Sequence, residues 1–61
     1  MMSDFDRAHF GEIVAGRGDW FTAQLIRLIR KADANNREKL RKGFPEEVKA
    51  FEQWERGDPI A

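Results

Sequence analysis

The stretch Asp19-Trp20-Phe21-Thr22-Ala23-Gln24-Leu25-Ile26-Arg27-Leu28-Ile29-Arg30-Lys31-Ala32 decides the fold class. Phe21, Leu25, Leu28, Ile29 and Ala32 recur at i, i+4, i+7, i+8 and i+11, the spacing of one apolar stripe on an α-helix. The stripe predicts the buried face of a helix over about 19–33, with Asp19 at its N-cap. No stretch of the chain alternates apolar and polar residues between turn residues, as a half-buried strand would. The chain therefore reads as all-α.

Upstream, Gly16-Arg17-Gly18 separates this helix from an earlier one over about 4–15. Ser3 or Asp4 can cap that first helix; Phe10, Ile13 and Val14 share one side, with Phe5 a turn earlier. Downstream, Asp33-Ala34-Asn35-Asn36 competes with helical hydrogen bonding, and a break there leaves a short helix over about 35–42. Leu40 is its main apolar anchor, and Gly43 is expected to close it in the left-handed conformation. Phe44-Pro45-Glu46-Glu47 opens a last helix over about 45–56. Pro45 loses nothing in a first turn, and the two carboxylates complement the helix dipole. Phe44 is placed to pack on Val48 as a hydrophobic staple, and Phe51 and Trp54 continue that face until Gly57-Asp58-Pro59. The expectation is a small bundle of three to four short helices in one domain, 1–61, with 57–61 as a flexible tail.

A 61-residue domain hides only about 60% of the surface its unfolded chain exposes. Such chains commonly gain stability from a staple or from self-association, and the lack of cysteine removes the disulfide. It also removes thiolate catalysis and thiolate metal sites. No run approaches the ~20 apolar residues of a membrane span. Met1-Met2-Ser3-Asp4 lacks the basic-then-apolar order of a signal peptide, so a cytoplasmic location without membrane contact is expected.

Eleven basic and eleven acidic residues cancel, but unevenly along the chain. Residues 1–19 carry two basic against four acidic (−2), residues 20–42 seven against two (+5), and residues 43–61 two against five (−3). On the second helix, Trp20, Gln24, Arg27 and Lys31 form a stripe read as opposite the Phe21/Leu25/Leu28 face. Arg30 flanks it, and Arg37, Lys39, Arg41 and Lys42 extend the positive region. As a partner-binding surface, Trp20, Gln24, Arg27, Arg30, Lys31, Arg37 and Arg41 could meet an acidic protein surface, or phosphates with Trp20 stacking on a base. The plainer alternative packs Trp20 sideways on the first or last helix and leaves the cations as a solvated face.

Other patterns have structural explanations. Arg17-Gly18-Asp19 spells an adhesion tripeptide, yet a glycine turn and a helix cap account for it. Gly16-x-Gly18 has neither the preceding strand nor the third glycine of a dinucleotide loop. His9 and Glu12 could share a helix face, but one histidine and no cysteine leave a metal site half built. Glu46 and Glu47 point about 100° apart on a helix and cannot form an acid/base pair. Ser3 is the only serine, and Thr22 lies within a helix, so no nucleophile is credible. The expectation is a non-enzyme without cofactor, metal or small-molecule substrate.

The run Trp20-Phe21-x-Ala23-x-Leu25-Ile26-x-Leu28-Ile29-x-Lys31-Ala32-Asp33, followed by Asn36-Arg37-x-Lys39-Leu40-Arg41-x-Gly43-Phe44-Pro45-Glu46-Glu47-Val48, resembles small phage- and prophage-encoded proteins, particularly those of actinobacteria, over about residues 8–56. The resemblance implies an accessory protein that contacts a host protein, inhibits a defence system or attends nucleic acid; it transfers no functional residue. The leading expectation is thus a non-catalytic module binding a protein partner or its own copy through a helical surface. The alternative is a nucleic-acid binder that uses the basic 20–42 segment.

Overall fold

A computed structural model describes residues 2–58. Five helices follow one another: α1 (Asp4–Ala8), α2 (Phe10–Ala15), α3 (Phe21–Lys31), α4 (Ala34–Gly43) and α5 (Pro45–Glu55). The all-α class holds, and there is no strand among the described residues. The helix count exceeds the expected three to four because the 4–15 segment divides at His9. There the backbone reaches φ −115°, and the Phe5 carbonyl receives the His9 N–H at 3.0 Å with the ring Nδ1 also at 3.0 Å. The bend turns Phe10, Ile13 and Val14 inward and leaves Phe5 outside, stacked on His9 at 4.1 Å.

Local chemistry sets most of the remaining boundaries. Ser3 and Asp6 form a capping box on α1: Ser3 Oγ accepts from the Asp6 N–H, and Asp6 Oδ2 accepts from the Ser3 N–H, both at 3.1 Å. Asp33 interrupts the chain and caps α4, its Oδ1 accepting from the Asn36 N–H at 2.8 Å. Two expected caps differ. Trp20 occupies the N-cap of α3 in extended backbone, and Asp19 lies one residue outside. Gly43 is the last residue of α4 and has no positive φ. Pro45 disfavours helical backbone at the preceding residue, so Phe44, at φ −135°, ends α4 and starts α5.

α3 packs against both α2 and α5, and α4 packs on α5. The core joins Phe10, Ile13 and Val14 of α2 to Ala23, Leu25, Ile26 and Ile29 of α3 and Val48, Ala50 and Phe51 of α5. Leu40 and Phe44 pack at its edge. The expected core face of α3 holds at Leu25 and Ile29, which are buried, and is corrected at Phe21 and Leu28, which are 68% and 51% exposed, while Ala23 and Ile26 are sealed instead. At about 100° per residue, Ile26 lies about 100° around the helix from Leu25 and about 160° from Leu28, so the apolar arc is too wide for its two partners to cover. Of the expected tail, Gly57 and Asp58 hydrogen-bond back to Trp54 and Gln53 carbonyls, and residues 59–61 lie outside the described residues.

Candidate functional site

The seven residues anticipated as a partner-binding ridge have divided settings: Trp20 (37% exposed), Gln24, Arg30 and Lys31 are exposed, whereas Arg27, Arg37 and Arg41 are half-buried. Trp20 sits at the junction of α1 and α3, where its indole N–H donates to buried Asp6 at 2.9 Å and its ring meets Phe5 edge-on at 5.8 Å. Gly18, at φ +92°, lies beneath the indole, and a Cβ there would fall 2.3 Å from the ring. That packing explains the Arg17-Gly18-Asp19 sequence as a turn fitted under a tryptophan.

Arg27 points inward. Its guanidinium donates to the carbonyls of Ile13 (2.9 Å), Arg17 (3.0 Å) and Gly18, binding the C-terminal end of α2 and the following turn to α3. These carbonyls carry the partial negative charge of a helix end, for which a cation is the fitting partner. Gln24 donates to the Asp19 carbonyl at 2.6 Å. Arg37 donates to the Ile29 carbonyl at 3.2 Å, stands 5.3 Å from the Phe51 ring centroid and reaches Glu55 at 3.7 Å. Arg41 grips both Glu52 oxygens at 2.8 and 2.7 Å and also touches Glu38 at 3.1 Å. This fork raises the Arg41 pKa and holds the Glu52 carboxyl below the usual carboxylate range, with the hydrogen bonds the main cause for both.

Three arginines of the basic segment thus hold the fold together. Arg30, Lys31, Lys39 and Lys42 take part in no ion pair among the described residues. Lys31 and Lys39 have a definite setting: they stand on the rim of a groove between α3 and α4. One half of this groove is lined by Leu28, Lys31, Ala32, Asn36, Lys39 and Leu40. The other half adds Phe21, Gln24, Leu25 and Phe44, with Leu28 and Leu40 common to both. Phe21 and Phe44 close one end, their ring centroids 5.9 Å apart. Gln24 and Lys31 accordingly line the same groove as Phe21, Leu25 and Leu28, which corrects the expectation that they lie opposite that face.

Elsewhere, the His9 ring lies against Phe5, and Glu12 pairs with Arg17 at 2.7 Å. No three His, Asp or Glu side chains among the described residues gather as metal ligands would. Sequence reasoning missed the groove because it assigned Phe21 and Leu28 to the core. A signal was present in 34–43, where Leu40 is the only large apolar residue and cannot cover the side of α3 that it faces. Compared with protein-family models, curated proteins and solved structures, the chain matches none.

Proposed function

We propose that the chain is a non-catalytic interaction module that holds a segment of a partner protein in the α3/α4 groove. The observation that carries this reading is the exposure of Phe21 and Leu28, at 68% and 51%, beside half-buried Leu40 and Phe44. A small domain has few large apolar side chains, and contiguous ones left open are what partner surfaces are made of. An accessory role of the phage or prophage kind, which the resemblance implies, suits a binder of this size. The nucleic-acid alternative is weakened because Arg27, Arg37 and Arg41 are engaged within the molecule, leaving less free charge for phosphate contacts.

The experiment compares immobilised wild type, Leu28→Glu and Arg30→Glu in capture from cells that carry the gene. Circular dichroism and thermal melting establish that all three are folded. The expected result is a protein retained by wild type and Arg30→Glu and lost with Leu28→Glu. Equal retention by all three would remove the groove from the function. Saturable binding to duplex DNA at low salt, lost on Arg30→Glu and kept on Leu28→Glu, would support the nucleic-acid reading instead.

A further inference from the structure

We infer that the occupant of the groove is an amphipathic helix with acidic residues flanking its apolar stripe; this rests on the groove being the binding site. The first support is charge. Among the described residues Lys31 and Lys39 are the only charged ones lining the groove, and the lining contains no carboxylate although the chain has eleven. The two acidic residues nearest to them in sequence are otherwise engaged, Asp33 as the N-cap of α4, accepting from the Asn36 N–H, and Glu38 with Arg41. Arg27, Arg37 and Arg41 are committed to carbonyls and carboxylates, but these two lysines are exposed, beside exposed apolar side chains, and have no ion pair among the described residues. A ligand with acidic flanks would supply what the rim lacks.

The second support is shape. An apolar groove between two helices offers no backbone hydrogen bonds, and no strand among the described residues provides an edge for an extended peptide to join. A helix satisfies its own backbone groups and can lay leucine-like anchors at i, i+4 and i+7 between Phe21, Leu28, Leu40 and Phe44. The eleven residues of α3 give the groove wall a length of about 16 Å, or three helical turns. A second copy is a poorer occupant in this face. Groove-to-groove pairing about a twofold axis would bring two sets of Lys31 and Lys39 to one interface, where like charges disfavour association.

Three synthetic peptides of about sixteen residues test the inference. Two carry leucines at i, i+4, i+7 and i+11, one flanked by glutamates and one by lysines; the third scrambles the glutamate sequence and so loses the spacing. Binding is followed by fluorescence anisotropy and by backbone amide shifts of the isotope-labelled protein. The glutamate peptide is expected to bind about tenfold tighter than the lysine peptide at low salt, with the gap narrowing as salt rises. Its shifts should centre on Phe21, Leu28, Leu40 and Phe44. The double substitution Lys31→Glu/Lys39→Glu should invert the ranking of the two flanked peptides.

No binding by the glutamate peptide, equal binding by the lysine peptide, or binding by the scramble overturns the inference. If both flanked peptides bind equally and Leu28→Glu abolishes both, the acidic preference fails and the groove reading survives. If Leu28→Glu abolishes neither peptide binding nor lysate capture, both fail. Groove shifts that follow protein concentration alone would assign the face to a second copy. Tighter responses to phosphatidylglycerol vesicles or duplex DNA than to the glutamate peptide would assign it to a lipid surface or to nucleic acid, and either would overturn the inference.

Discussion

The junction of α1, α2 and α3 and the groove between α3 and α4 both set aromatics beside cations, but they differ in how their polar groups are engaged. At the junction, Trp20 rests on Gly18 and donates to Asp6, and the Arg27 fork spans three carbonyls. At the groove, Phe21 and Leu28 remain exposed, and Lys31 and Lys39 have no acidic neighbour in the lining. The side-chain chemistry follows the same division. A planar guanidinium can satisfy several fixed acceptors at once, and arginine does so here; lysine, a hydrated point charge on a flexible stem, stays at the rim.

The sharpest way to break this comparison is to truncate α3 on its two sides. Ile26→Ala empties a fully buried position and is expected to cost about 2–5 kcal/mol. Leu28→Ala, at 51% exposure, should cost less than about 1 kcal/mol while weakening whatever binding the groove provides. Urea unfolding monitored by tryptophan fluorescence measures both. Similar losses from the two substitutions would show that the groove side of α3 is core after all.

A smaller effect is expected at the junction. Arg27→Ala removes charge-assisted hydrogen bonds to Ile13, Arg17 and Gly18 carbonyls and should cost about 1.5–3 kcal/mol. Arg27→Lys should recover little, because one ammonium cannot span the three acceptors. Arg30→Ala, at an exposed position without an ion pair among the described residues, should stay within about 0.5 kcal/mol of wild type. If Arg27→Ala is as mild as Arg30→Ala, Arg27 is not a staple and the contrast between the regions is lost.

What the sequence could disclose follows the range of each interaction. The cap at Ser3 or Asp4, the break at 33–36, the Pro45 start and the turns at Gly16 and Gly18 depend on neighbours a few residues away, and each was legible, though not that Ser3 and Asp33 are the capping residues. The all-α class followed from periodicity. The two sides of α3 could not be separated, because Leu25, Ile26, Leu28 and Ile29 are all apolar and only the placement of α2 and α5 decides which are sealed. The destination of Arg27 was likewise hidden. Its acceptors lie 9 to 14 residues back in a turn whose path no local rule fixes. The seven cations of the +5 segment divide into Arg27, Arg37 and Arg41, engaged within the molecule, Lys31 and Lys39 in the groove lining, and exposed Arg30 and Lys42. Its composition was legible and its division was not.

The smallest expected effect concerns what holds the α4 wall of the groove to α5. Arg41 binds Glu52 through two hydrogen bonds and keeps its carboxyl below the usual carboxylate range. Because the folded-state pKa is lowered, this pair contributes stability above the unfolded carboxylate pKa and loses it as pH falls through the folded value. Arg41 stays charged throughout, its own pKa being raised, so Glu52 is the partner that titrates. Glu52→Gln should therefore be less stable than wild type near about pH 7, and the difference should shrink as pH falls toward about 3. Both partners are partly solvated, at 37% and 26% exposure, so the neutral-pH difference is modest and salt-sensitive. Urea unfolding of the two proteins across this range reads the convergence. A stability gap that persists unchanged in acid would show that the Gln variant fails for packing reasons, and that α4 is held by Leu40 and Phe44 without help from the ion pair.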